Sequence, residues 1–108
     1  MEKREFEILK TLSYAGAMDV LFNVTRGKTK FTDIMFETKL NPGILNRLLK
    51  ALMASDVLEK DSEGYHLSEK GKQTVRYTLD ILALEGDKES YRDIKDILST
   101  KTGLKVKA

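Results

Sequence analysis

The chain has 108 residues, 33% of them charged, with a net charge of +2, a single histidine and no cysteine. That length suits one domain with a modest core, while the missing thiols exclude disulfides, thiol redox sensing and thiolate metal sites, and one histidine excludes a histidine-rich metal site. No apolar run approaches the roughly eighteen residues of a membrane span, and the charged start Met1-Glu2-Lys3-Arg4-Glu5 lacks a signal peptide's apolar segment, so a cytoplasmic location is expected.

Residues 3–13 read as a helix, with Phe6, Leu9 and Leu12 spaced by three and Ile8 beside them. Ala15-Gly16-Ala17 marks a break or a close contact before a second helix from Met18 to Arg26. Phe31, Ile34 and Met35, with Leu40, fit a short helix capped by Thr32. Asn41-Pro42 then opens the clearest element. An asparagine oxygen accepts one of the orphan N–H groups at a helix start, and proline at the first helical position has no N–H to leave unpaired. From Pro42 the helix runs to 54, with Leu45, Leu48, Leu49 and Leu52 in one stripe toward a core. Ile44, Asn46, Arg47, Lys50 and Ala51 lie on or beside the other face, which has two cations and no carboxylate.

Val57-Leu58-Glu59-Lys60 and Tyr65-His66-Leu67 flank an Asp61-Ser62-Glu63-Gly64 turn, the pattern of a small β-hairpin. Ser68 caps a further helix from Glu69 to Leu84, whose Val75, Thr78, Leu79, Ile81, Leu82 and Leu84 form a wide apolar surface. After Glu85-Gly86-Asp87, a last stripe comprises Tyr91, Ile94, Ile97 and Leu98. Residues 101–108 form a short basic tail. Residues 26–50 hold six cations against two carboxylates, a net +4, whereas residues 51–100 carry a net −4. A local patch of this kind serves phosphate attraction better than total charge does.

A helix ending at Arg26-Gly27, then Lys30-Phe31-Thr32-Asp33-Ile34, Asn41-Pro42 with Leu45, Leu49 and Leu52, and Tyr65-His66-Leu67-Ser68-Glu69-Lys70-Gly71 together resemble winged helix-turn-helix transcription regulators of the HxlR/MarR/ArsR type, most closely the HxlR-like ones. The resemblance covers roughly residues 14–84. It implies an α+β, mostly helical fold: a winged helix-turn-helix with a short two- or three-stranded β-wing and flanking N- and C-terminal helices. In such proteins Lys30–Ile34 corresponds to a first strand and supporting helix, and residues 42–54 to the recognition helix. The chain then reads as a single winged-helix domain over 1–108, with core 14–84, flanking helices 1–13 and 85–100, and the tail. In similar proteins the flanking helices form a two-fold dimer interface, so a homodimer is expected. Folding back of both helices to complete one monomeric core is the alternative.

The resemblance implies a double-stranded DNA partner. Arg47 offers a bidentate fork to guanine, Asn46 an amide for an adenine edge, and Ile44 a contact for a thymine methyl. Lys28, Lys30 and Lys50 suit phosphate, and Thr32 adds a hydroxyl and the N-terminal amides of its helix. Asn41, at the start of the reading helix, is expected among the DNA contacts as well. The family places basic or polar residues where Gly43 and Leu48 stand, and often a more basic wing. Asp61 and Glu63 would repel phosphate, so any wing contact is expected from Lys60 or His66. His66 alternates with Tyr65 and Leu67 and is expected on the wing's solvent face. Asp93 and Asp96 alternate with Arg92 and Lys95 as a solvated, salt-bridged helix face. No nucleophile with a positioned base, phosphate loop or metal cluster is present, so neither enzyme activity nor a cofactor is expected. The rival to DNA binding is a winged-helix adaptor that binds protein.

Overall fold

The computed structural model describes residues 6–86 and 91–101. Its elements run α1 (Glu7–Leu12), α2 (Ala17–Thr25), α3 (Phe31–Thr38), α4 (Pro42–Ala54), β1 (Leu58–Asp61), β2 (Gly64–Leu67), α5 (Glu69–Ala83) and α6 (Arg92–Lys101). The fold is mostly helical, with one antiparallel hairpin: a winged helix with flanking helices.

Each boundary has a local cause. The Asn41 side-chain oxygen accepts hydrogen bonds from the Gly43 and Ile44 N–H groups at 2.7 and 3.3 Å, and Pro42 follows it at the first helical position. All four stripe leucines of α4 are buried, each contributing on the order of 1.5–3 kcal/mol of apolar transfer. At the far end, Asp56 adopts a left-handed conformation (φ 63°), and the Val57 and Asp56 N–H groups bond back to the Leu52 and Met53 carbonyls. These are the two bonds of a Schellman stop. Gly27 (φ 104°) ends α2 in the same way, with the Lys28 N–H on the Asn23 carbonyl and its own on Val24.

Two sequence expectations are corrected at α3. Thr32 is not its cap: Lys30 occupies the N-cap position, no side chain closes that end, and Thr32 lies exposed in the first turn. The helix therefore begins before Thr32, with the Ile34 N–H bonded to the Lys30 carbonyl. The first strand implied by the resemblance is reduced to a single backbone contact, the Tyr65 N–H donating to the Thr29 carbonyl at 2.8 Å. Gly64 (φ 128°) makes this approach possible, because a Cβ there would overlap the Thr29 carbonyl.

The hairpin pairs Leu58 with Leu67, Glu59 with His66, Lys60 with Tyr65 and Asp61 with Gly64. Ser68 joins it to α5: its hydroxyl accepts from the Gly71 N–H at 2.8 Å and donates to the Asp56 carbonyl. The core is built from α2 (Val20, Leu21, Val24), Ile34, the α4 leucines, Val57 and Val75 with Leu79 of α5.

The last helix folds back onto this core. Ile94 and Leu98 are buried, and the Tyr91 ring lies against Phe22 with centroids 5.1 Å apart. The Arg26 guanidinium clasps Asp93, with Nε–Oδ2 at 2.8 Å. α6 therefore contributes to its own chain's core, as the folding-back alternative holds for this helix. Exposed instead are Phe6 and Leu9 at α1, and Tyr77, Ile81 and Leu84 along one side of α5. In α1, Thr11 is the buried position, its hydroxyl 3.2 Å from that of Ser55. The helix thus presents Phe6 and Leu9 outward, and residues 3–5 of the expected longer helix lie outside the described residues.

The clasp has a pH signature. The Arg26 hydrogen bonds hold the Asp93 carboxyl below the usual carboxylate range. A depressed folded-state pKa stabilises above the unfolded value and is lost as pH falls through the folded one. Amide exchange in α6 should therefore accelerate as pH is lowered below about 4, after correction for intrinsic rates. Asp93→Asn should show accelerated exchange already at neutral pH and lose that added acid dependence.

Candidate nucleic-acid interface

The outward face of α4 combines Gly43, Asn46, Arg47 and Lys50, all exposed, while Leu45, Leu48, Leu49 and Leu52 anchor the opposite side. A helix held by four buried leucines has little freedom to roll, so the polar side chains project from a fixed platform. Among the described residues, nothing makes a hydrogen bond or ion pair with the side chains of Arg47, Lys50 or Asn46. Ile44 is 40% exposed beside them. Asn41 is exposed too, but its side-chain oxygen is committed to the cap.

The other predicted contacts are more divided. Lys30 stands at the start of α3 with Thr32 two residues on, within the first turn, both exposed. The Lys28 ammonium lies 3.8 Å from the Glu37 carboxylate, a half-exposed pair worth little in water. Lys39, which the sequence argument did not single out as a contact, occupies a left-handed position (φ 61°) closing α3 and lies 5.6 Å over the Phe36 ring, itself 74% exposed. That cation belongs to the turn joining α3 to α4, and its place in the +4 segment was the only sequence signal for it.

In the wing, Lys60 sits 5.2 Å over the Tyr65 ring, its directly opposed partner. The Asp61 carboxylate accepts from the Glu63 N–H at 2.8 Å and meets the His66 ring at 3.1 Å. The Glu63 N–H, and then the His66 charge, lower the Asp61 pKa, so the wing tip remains anionic at neutral pH. His66 is half-exposed and turned toward this carboxylate. The predicted residues thus form two groups: one on α4 and the start of α3, and a second on the wing whose histidine faces the protein's own acid.

A second neighbour of α4 was not anticipated. Tyr14 and Ala15, in the turn between α1 and α2, border the same groove as Ile44, Arg47 and Lys50. Gly16 (φ 89°) lets this turn close, since a Cβ there would stand 3.1 Å from the Leu40 methyls and 3.5 Å from Leu48. The Ala15-Gly16-Ala17 triplet was its only trace in the sequence.

Helices α3 and α4 in succession, the two-stranded wing that follows them and a cation-bearing, carboxylate-free outer face of α4 define a winged helix-turn-helix. The winged helix-turn-helix family model matches residues 6–85, and the chain belongs to that family. Such a domain suggests DNA binding. Comparison with curated proteins and with solved structures finds no significant match. Among the described residues, no helix is long and apolar enough to cross a membrane.

Proposed function

We propose that this protein is a sequence-specific, double-stranded-DNA-binding transcription regulator of the HxlR-like kind, acting in the cytoplasm without enzymatic activity. Helix α4 enters the major groove. Arg47 and Asn46 meet base edges, Ile44 meets a thymine methyl, and Lys30, Thr32 and Lys50 engage phosphates, with Lys28 joining at the cost of its loose pair with Glu37. The observation that carries this proposal is the α4 face: exposed, rigidly seated, bearing Arg47 and Lys50, and lacking any carboxylate.

The protein is proposed to act as a homodimer. Tyr77, Ile81 and Leu84 recur at i, i+4 and i+7 on α5 and are 63, 63 and 84% exposed, a stripe suited to a second copy. Two α4 helices would then meet half-sites roughly one turn, ~34 Å, apart. The anionic wing tip favours a second reading, an adaptor that docks on protein.

Fluorescence anisotropy with a random duplex, across a series of salt concentrations, tests the proposal. The expected result is binding that falls steeply with salt, with a log–log slope of about −3 to −5 per protomer for three to five neutralised phosphates. No binding at the lowest salt, from protein with an intact helical spectrum, would favour the adaptor.

A further inference from the structure

Between α1, the end of α4 and the start of α5 lies a hollow of about 720 Å³, within the size range of small-molecule sites. Thr11 is its most deeply buried lining residue, and the Thr11 hydroxyl lies 3.2 Å from that of the half-buried Ser55. Among the described residues this is the one contact either hydroxyl makes, so one of the two hydroxyl protons is left to donate. Ile8, Ala51 and Ala54 supply an apolar wall, and the two alanines, three apart on α4, keep it wide. Charge comes from three different elements: Glu7 on α1, Asp56 in the left-handed turn after α4, and Lys70 in the first turn of α5. All three are exposed, and among the described residues none forms an ion pair, with each other or with anything else. The Ser68 hydroxyl donates to the Asp56 carbonyl, which ties that turn to the start of α5 and sets these two charges at fixed places on the rim.

We propose that this hollow binds a free aliphatic α-amino acid, its ammonium held by Glu7 and Asp56, its carboxylate by Lys70 and the spare hydroxyl proton, and its side chain against Ile8 and the two alanines. The chemistry follows from the lining. Two carboxylates and one ammonium, unpaired around one hollow, match a ligand that carries both signs on a single carbon, and charge-assisted hydrogen bonds are the strong kind. A simple anion would face two carboxylates, and a simple cation would face Lys70. Three separate points of attachment also select one hand of the ligand. Bound there, the amino acid joins α1 to the Asp56 turn and to α5. Helix α1 has six residues and one buried side chain, Thr11, so this bridge fastens the helix that is otherwise least anchored. The site uses neither Arg47 nor Lys50 and does not rest on the DNA-binding proposal.

L-Leucine serves as the probe, followed by amide NMR of the full chain, with D-leucine, leucinamide and N-acetyl-leucine as counterparts that change its hand or remove one charge. Saturable shifts are expected at Thr11, Ala54, Ser55 and Lys70, with about tenfold weaker affinity for each counterpart. Lys70→Gln should lose a similar factor toward L-leucine while binding leucinamide at least as well as the unaltered protein does. Ala54→Leu, which fills the hollow from an exposed helical position, should weaken every probe. At ten times its Kd, L-leucine should slow amide exchange over residues 9–12 by about tenfold. An absence of saturable shifts at these amides at tens of millimolar L-leucine, from a folded spectrum, would overturn the site, as would equal affinities for L-leucine, leucinamide and N-acetyl-leucine. Shifts there that track protein concentration without leucine would place a second copy in the hollow and also overturn it. Leucine binding with unchanged exchange in α1 would overturn the fastening.

Discussion

Replacing Gly71 with alanine is expected to destabilise the fold by about 3 kcal/mol or more, a large share of the roughly 5–10 kcal/mol available to a domain of this size. Gly71 lies in the first turn of α5, and a methyl there would overlap the Val57 carbonyl oxygen. That oxygen already accepts from the Ser68 N–H at 3.1 Å. Neither side can yield cheaply: Val57 is fully buried at the start of the hairpin, and the Gly71 N–H is tied to the Ser68 hydroxyl. Urea unfolding followed by circular dichroism would read the loss as a lower midpoint. Gly43→Ala is the control. Its Cβ meets only the Asn41 side-chain oxygen, at 3.2 Å, and alanine's helix preference should leave stability unchanged or raised by about 0.5 kcal/mol. A Gly71→Ala protein as stable as wild type would show that α5 does not press on the Val57 backbone as described.

Arg47→Ala should give the largest loss of DNA affinity of any single truncation on α4, about 1–3 kcal/mol, or roughly fivefold to more than a hundredfold. Stability should hardly change, since Arg47 is exposed and no described residue pairs with it. Lys50→Ala should cost less and act evenly across sequences, as expected of a phosphate contact, lowering the salt slope by about one unit. The comparison separates reading from attraction: if Arg47→Ala weakened a preferred site and random DNA equally, Arg47 would be a charge contact and not a base reader. His66→Ala should have little effect on affinity, because the ring faces Asp61.

What could be read from the sequence was whatever rests on local chemistry. Asn41-Pro42 and Ser68 each place an acceptor beside orphan amides, so the starts of α4 and α5 fall where their side chains dictate. The four α4 leucines share a face at any helical spacing, and all are buried. The start of α3 escaped the same logic because Lys30 offers no side-chain acceptor. Thr32 is the better capping type, but Phe31 just before it already packs against the core and Ile34 just after it is buried, so the helix runs through Thr32.

Longer-range relations were harder to read. The stripes Ile94/Leu98 and Tyr77/Ile81/Leu84 have equivalent periodicity, yet one is buried in its own chain and the other is exposed. Periodicity identifies an apolar face without saying what covers it. His66 follows the same pattern: alternation placed it on the open side of the wing, and only the hairpin register brings it to Asp61. The groove beside α4 depends on a turn some thirty residues earlier in the chain, closed by Gly16.

The central claim is that the outer face of α4 meets DNA, and amide NMR of the full chain during titration with a duplex at low salt tests it most directly. The account predicts that the largest shifts fall on residues 41–51 and on Lys30 to Thr32, with smaller ones at the wing tip and none along the Tyr77/Ile81/Leu84 stripe beyond those from dimerisation. Shifts confined to the wing or to α5, with α4 unmoved, would contradict it.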